Sequence, residues 1–224
     1  MWKQLFTIFK KSSLLDQAFI DSYDMLDITQ SMFIEAKKSL REKDVNLLET
    51  EIYSKDLQVN KYEREVRRKV INHITVAGAD EINSALVIVS IIIDIERIGD
   101  YTKNIVDLAK NHPAKLTGGV FDKDLVKIEK AVENTFSRVI KQLKTSDVED
   151  AEKLINEYQW VNRICDQHVI DYIKEVDKSV SSGDAVALAL YFRYIKRINS
   201  HLRNIATSLV NPFDYLGFTH RYEK

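Results

Sequence analysis

Apolar residues recur along this chain at three- and four-residue spacings, the period of a helix that buries one face. Between Asp16 and Glu42, Phe19, Leu26, Phe33 and Leu40 fall seven residues apart, and Met25, Met32 and Ala36 widen the stripe. A second stripe of Val45, Leu48, Ile52, Val59, Tyr62, Val66 and Val70 follows Asp44, a residue suited to an N-cap, and carries the helix to about Thr75. Gly78 punctuates, and a third helix is predicted from about Asp80 to Lys110. Its stretch Ala85 to Ile93 is apolar on all sides, which predicts the most buried helix of the set.

Residues 111–121 hold one of the two prolines and two of the six glycines, and they read as a linker between two halves. The plan then repeats. Asp122 to Lys144 places Leu125, Ile128, Val132, Phe136, Val139 and Leu143 on one face. Asp147 opens a fifth helix with Ile155, Tyr158, Val161, Cys165, Val169, Tyr172 and Val176 along it. Gly183 punctuates again, and a sixth helix runs from about Asp184 to Val210. The expected architecture is all-α: two tandem three-helix bundles over residues 16–110 and 122–210, with an N-terminal segment 1–15 and a tail 211–224. Segment 1–15 sets Trp2, Leu5, Phe6, Ile8 and Phe9 among three lysines, a pattern for peripheral contact with a membrane, a partner or its own bundle.

Composition narrows the function classes. A formal net charge of -1 gives no global attraction to nucleic acid or anionic membrane. The basic stretch Arg64–Lys69 is interleaved with acids and reads as a solvated helix face. A single cysteine, Cys165, on an apolar stripe excludes an intramolecular disulfide and fits a reducing cytoplasm. The start shows no secretory signal, and the longest apolar run is too short to span a bilayer. His73, His112, His168, His201 and His220 are scattered, with no zinc-type spacing, and no phosphate-cradling glycine loop or hydrolytic triad is present.

One stretch breaks local rules. In Asp94-Ile-Glu-Arg-Ile-Gly-Asp-Tyr-Thr-Lys-Asn-Ile105, Glu96 and Asp100 stand four residues apart, stacking two like charges on one helix face. Gly99 between them costs about 1 kcal/mol relative to alanine. Two carboxylates so spaced suit a hard, oxygen-liganded cation, with Asp94, Asp107, Asp56 and Glu63 as weaker candidate ligands. Alternatively, Arg97 and Lys103 neutralise them in an ordinary ion-pair network.

The internal repeat divides this motif. At an offset of 100 residues, Arg97-Ile98 recurs as Arg197-Ile198 and Asn104-Ile105 as Asn204-Ile205. Asp44-Val45 and Val59-Asn60-Lys61 also recur, as Asp147-Val148 and Val161-Asn162-Arg163. Shared residues suggest packing duties, with both arginines at buried or half-buried polar positions between helices. Glu96, Gly99 and Asp100 become Lys196, Asn199 and Ser200, so they form the unshared remainder, and Lys196 is expected in an ion pair.

Glu-Arg-Ile-Gly-Asp at 96–100 resembles the signature of the PhoU family, and helix count, repeat order and linker position extend the resemblance over nearly the whole chain. The second-repeat motif is degenerate. The resemblance implies a cytoplasmic, non-enzymatic regulator of phosphate uptake and phosphate signalling, working through a phosphate transporter or its sensor kinase. It also implies a multinuclear iron or zinc cluster, with magnesium or manganese less expected, held in the first repeat by Glu96 and Asp100. No nucleic-acid partner is expected; self-association stays open. Other readings are a structural helical adaptor for another transporter, with no cofactor, and a carboxylate-bundle metalloenzyme, which the absence of Glu-x-x-His pairs disfavours.

Overall fold

The computed structural model describes residues 13–43 and 48–218. The amphipathic stretch up to residue 12, the capping role of Asp44, Val45 and His220 therefore lie outside the described residues. Among the described residues seven α-helices follow one another: α1 (Leu14–Glu42), α2 (Leu48–Ala77), α3 (Ile82–Asn111), α4 (Asp122–Thr145), α5 (Val148–Glu157), α6 (Gln159–Ile173) and α7 (Ser182–Val210). No strand occurs among the described residues. Because α5 and α6 are one rod broken at Tyr158, the six expected helices are present.

Local chemistry places the helix ends. Ser13 accepts from the Asp16 N–H while Asp16 accepts from the Ser13 N–H, and Ser181 with Asp184 repeats this capping box on α7. Helix α7 thus begins before Gly183, which sits inside its first turn instead of punctuating it. Asp147 caps α5 as expected, accepting from the Asp150 N–H. After α7, the tail folds back as a hook: Asn211 donates to the carbonyls of Tyr215 and Phe218, and the Gly217 N–H reaches Thr207 Oγ1. Gly217 has φ +82, a conformation that a side chain would strain.

Within the first repeat, Lys55–Glu35 and Lys69–Asp21, both 2.5 Å, set α1 and α2 antiparallel. The predicted stripes are buried: Leu26, Phe33 and Leu40 on α1, and Ile52, Val59, Val66 and Val70 on α2. The stripe of α4 is buried throughout. On the fifth rod the stripe fails at Val176, which lies beyond the end of α6 and is exposed. The all-round burial predicted for Ala85–Ile93 also fails, because α3 packs on α1, α2 and α7 and keeps one side open. Leu86 is 37% and Ile93 40% exposed there.

The two repeats pack through a pseudo-two-fold arrangement. On one side α1 meets α4, with the Phe33 and Phe136 rings 5.6 Å apart and Lys144–Asp27 at 2.9 Å. On the other, α3 crosses α7. Tyr101 and Tyr194 stand 6.1 Å apart, and His201 Nδ1 lies 2.6 Å from Asp94 Oδ1. With an offset of 100, each contact is the image of the other, so the crossing centres on Arg97-Ile98 and Arg197-Ile198. Both isoleucines are fully buried.

The linker is pinned. The Leu116 N–H donates to the Leu40 carbonyl, and Arg41 Nη1 donates 2.5 Å to the Leu116 carbonyl. Arg41 also holds Asp122 at 2.7 Å and Glu129 at 3.1 Å, and Tyr191 donates to Glu129 at 2.8 Å. Burial pushes the Glu129 carboxyl above its ordinary range, against the pull of Arg41 and Tyr191. Removing the cation from such a buried pair leaves an uncompensated charge. Arg41→Ala should therefore lower stability by about 3 kcal/mol, a fall of about 6–12 °C in thermal midpoint for a chain of this size. Circular-dichroism melts check this, and adding Glu129→Gln should restore part of the loss.

Candidate functional site

The flank of α3 that faces α2 carries the unshared residues. Gly99 is buried there, and a Cβ in its place would meet Val59 Cγ1, Asp56 Oδ1 and Thr29 Cγ2 at 3.7–3.8 Å. Those are ordinary contact distances, so crowding does not demand glycine. Gly99 therefore does not mark a forced approach of a neighbouring helix. Asp56 and Glu63 project from α2 toward the same flank, and Asn60 Nδ2 donates to Asp56 Oδ2 at 3.1 Å. Four carboxylates thus gather along one seam: Asp56, Glu63, Glu96 and Asp100.

Basic side chains already thread this seam. Lys103 Nζ bridges Asp100 Oδ1 and Asp56 Oδ2, each at 3.0 Å. Burial draws the Lys103 pKa down, but its hydrogen bonds to Asp100 and Asp56 carry it above the ordinary lysine value. Arg97 lies 3.7 Å from Glu96 and 3.3 Å from Asp100, and Arg67 holds Glu63 at 2.7 Å. The ion-pair network open to Arg97 and Lys103 in the sequence is therefore present. Glu96 gains least from it. Burial first, then the charges of Asp100 and Glu63, raise its pKa to about 7, with Arg97 opposing.

Other candidate residues lie elsewhere. Asp94 turns to the joint between repeats, where it accepts from His201 and, at 3.4 Å, from Asn204. Asp107 accepts from Tyr53 Oη at 2.9 Å and is exposed. Direction on the helix separates Asp94 from the seam, whereas Asp107 lies on the same α2-facing flank two turns beyond Asp100. Arg97 and Arg197 are both exposed rather than half-buried packing residues. His73 and His168 are buried as expected of core or rim residues, facing Glu81 and the pair Asp124/Asp171. Burial pushes the Cys165 thiol up to about 12, so it carries no nucleophile.

Among the described residues, no three His, Cys, Asp or Glu side chains converge to hold a metal ion. Glu96 and Asp100 offer two carboxylates, Asp100 already shared with Lys103 and Arg97, while Lys103 and Arg67 hold Asp56 and Glu63. As placed, these donors match one hard cation with water completing its shell more closely than a cluster.

The second repeat uses the same positions differently. Lys196 pairs with Asp166 at 2.6 Å, the ion pair expected of it. Asn199, at the Gly99 position, donates to the Tyr158 carbonyl and to Asn162, and Asn162 donates to Ser200. Arg203, at the Lys103 position, donates to the Ile155 carbonyl at 3.1 and 2.8 Å. These groups cap the break at Tyr158. The break coincides with a one-residue difference between the repeats: Asn60 follows Asp44 by 16 positions, but Asn162 follows Asp147 by 15.

The PhoU domain model matches residues 23–109 and 125–209, one copy per repeat. The fold is similar to the phosphate transport system regulatory protein PhoU from Streptococcus pneumoniae, with TM-score 0.77 and 14% identity over 88% of this chain and 93% of that one. It is also similar to PhoU from Pseudomonas aeruginosa, with TM-score 0.73 and 18% identity over 88% and 95% of the two chains. No curated protein matches in sequence.

Two substitutions probe the seam. A carboxyl whose folded pKa is raised binds its proton more tightly folded than unfolded, so stability falls as pH rises from the unfolded value near 4.5 through about 7. Glu96→Gln should remove that fall, so its thermal midpoint should gain on the wild type across this window in melts at stepped pH. Gly99→Ala should stabilise by about 0.5–1 kcal/mol, read by urea unfolding.

Proposed function

Because the chain belongs to the PhoU family, we propose that it regulates phosphate transport from the cytoplasm, by docking its helical faces on a phosphate transporter or its sensor kinase. The observation that carries this reading is the family match over both repeats, seated on a two-repeat fold shared with phosphate-transport regulators. Two features are compatible with it. No helix among the described residues is long and apolar enough to cross a membrane. The residues that distinguish the first repeat form a charged seam of carboxylates paired with Arg67, Arg97 and Lys103.

The same reading gives the Glu96/Asp100 pair a ligand role. A divalent cation would supply charge where Glu96 otherwise keeps its proton near neutral pH. Iron and zinc are the first candidates and magnesium or manganese the next, bound as a single ion through the two carboxylates. The cation would have to displace Arg97 from both carboxylates and Lys103 from Asp100.

Purified chain should co-purify with the reconstituted transporter or sensor kinase of the same cell; recovery of neither would refute the regulatory reading. Protein loaded with iron, zinc, manganese or magnesium and desalted should retain at most one equivalent by elemental analysis. Glu96→Ala with Asp100→Ala should lose it. Two or more equivalents per chain would point to a cluster, and retention by the double variant would move the site elsewhere.

A further inference from the structure

Arg97 and Arg197 stand at equivalent places in two repeats that have diverged around them, although their contacts differ: Arg97 leans on Glu96 and Asp100, Arg197 on Tyr101 across the crossing. Their neighbours Glu96, Gly99 and Asp100 changed, yet both arginines remain and both are exposed. They sit at the crossing of α3 and α7, and Ile98 and Ile198 beside them point into the core. The outward stripe of each helix continues from them at helical spacing. On α3 it holds Leu86, Ser90 and Ile93; on α7 it holds Val186, Leu190 and Arg193. Leu86, Ile93, Val186 and Leu190 are all exposed, Val186 at 62%.

The contacts Asp94–His201 and Tyr101–Tyr194 run in opposite chain directions, so the two stripes leave the crossing in opposite directions. The surface therefore has arginines at its centre and an apolar wing on either side. Each wing extends 11 residues from its arginine, about 16 Å at 1.5 Å per residue. The stripe positions carry three positive charges and no negative one. Arg197 is held over the Tyr101 ring at 5.9 Å and donates to Tyr101 Oη at 3.2 Å, with its remaining N–H groups left over. Arg193 has only a long contact to Asp166, 3.7 Å, and Arg97 leans sideways on Glu96 and Asp100.

We infer that this α3–α7 face is the docking surface for an acidic amphipathic helix of a partner protein, about six turns long, with carboxylates near its middle and apolar residues toward both ends. Arginine forks match carboxylates in pairs, and exposed Leu, Ile and Val give the wings something to bury. A free anion would leave the wings unused. An anionic membrane surface is met by a continuous apolar face with basic residues on its polar side, whereas here the arginines interrupt the apolar stripe. The inference rests on the regulatory reading and names the surface through which that regulation works.

The test uses full-length chain and the purified cytoplasmic parts of the phosphate transporter and its sensor kinase. Arg193→Glu/Arg197→Glu and Val186→Asp/Leu190→Asp change exposed side chains only, and unchanged thermal midpoints verify folding. Each double variant should weaken binding at least tenfold in titrations, whereas Gln58→Glu on the outer face of α2 should not. Exchanging glutamates for lysines in the contacted partner helix should restore binding to the arginine-to-glutamate variant. If wild type binds neither partner, the regulatory reading falls. If wild type binds and the variants bind equally well, this surface is wrong while that reading stands. Loss without charge-swap rescue overturns the acidic helix. Loss of binding only to phosphatidylglycerol vesicles would replace the protein partner with lipid.

Discussion

The crossing of α3 over α7 is the constraint on which the rest of the molecule depends. Each of these helices must close its own three-helix unit and also meet its counterpart. Around one turn of α3, that leaves distinct directions for distinct duties. Ile95, Ile98 and Ile105 face inward and are fully buried. Asp94 and Tyr101 face the other repeat. Glu96, Gly99, Asp100 and Lys103 face α2, and Arg97 with Ile93 faces out. A residue's task follows from its angle on the helix, which explains how four neighbouring residues act in unrelated contacts.

The two repeats show what happens to such a flank when the opposing rod changes length. The fifth rod, one residue shorter between the repeated landmarks, is interrupted at Tyr158, which leaves backbone carbonyls in the interior, where unpaired polar groups are costly. Asn199 and Arg203 take those carbonyls. Their first-repeat equivalents face an unbroken α2, with no carbonyl to cap, and Lys103 reaches acids instead. The degeneration of the second motif is thus coupled to a backbone change rather than confined to its own side chains.

Most of the fold was legible because helical periodicity reports burial directly: the stripes of α1, α2 and α4 are the core. The exposed side of Ala85–Ile93 was not, since an apolar residue states nothing about whether a neighbour covers it. At the site, Glu96 with Asp100 and the two α2 acids could be read from spacing and from what the repeats do not share. Asp94 could not be assigned, because its partner His201 lies 107 positions away. The break at Tyr158 was legible in principle, as a one-residue shortfall between repeated landmarks. The linker was not: its proline and glycines look like a free connection, and the contacts that pin it, from Leu40 and Arg41 at the end of α1 and from Tyr172 and Asp177, come from residues distant in sequence.

Arg97 belongs to two neighbourhoods at once. Its guanidinium touches Glu96 and Asp100 on one flank while its stem stands on the outer face. Events on the two sides are therefore thermodynamically reciprocal. Whatever draws Arg97 outward strips positive charge from Glu96 and raises its hold on a proton or a cation. A cation on Glu96 and Asp100 would compete with Arg97 for both carboxylates and with Lys103 for Asp100. Through Arg97 the charge of the seam and the outer face of α3 are thus coupled by one side chain.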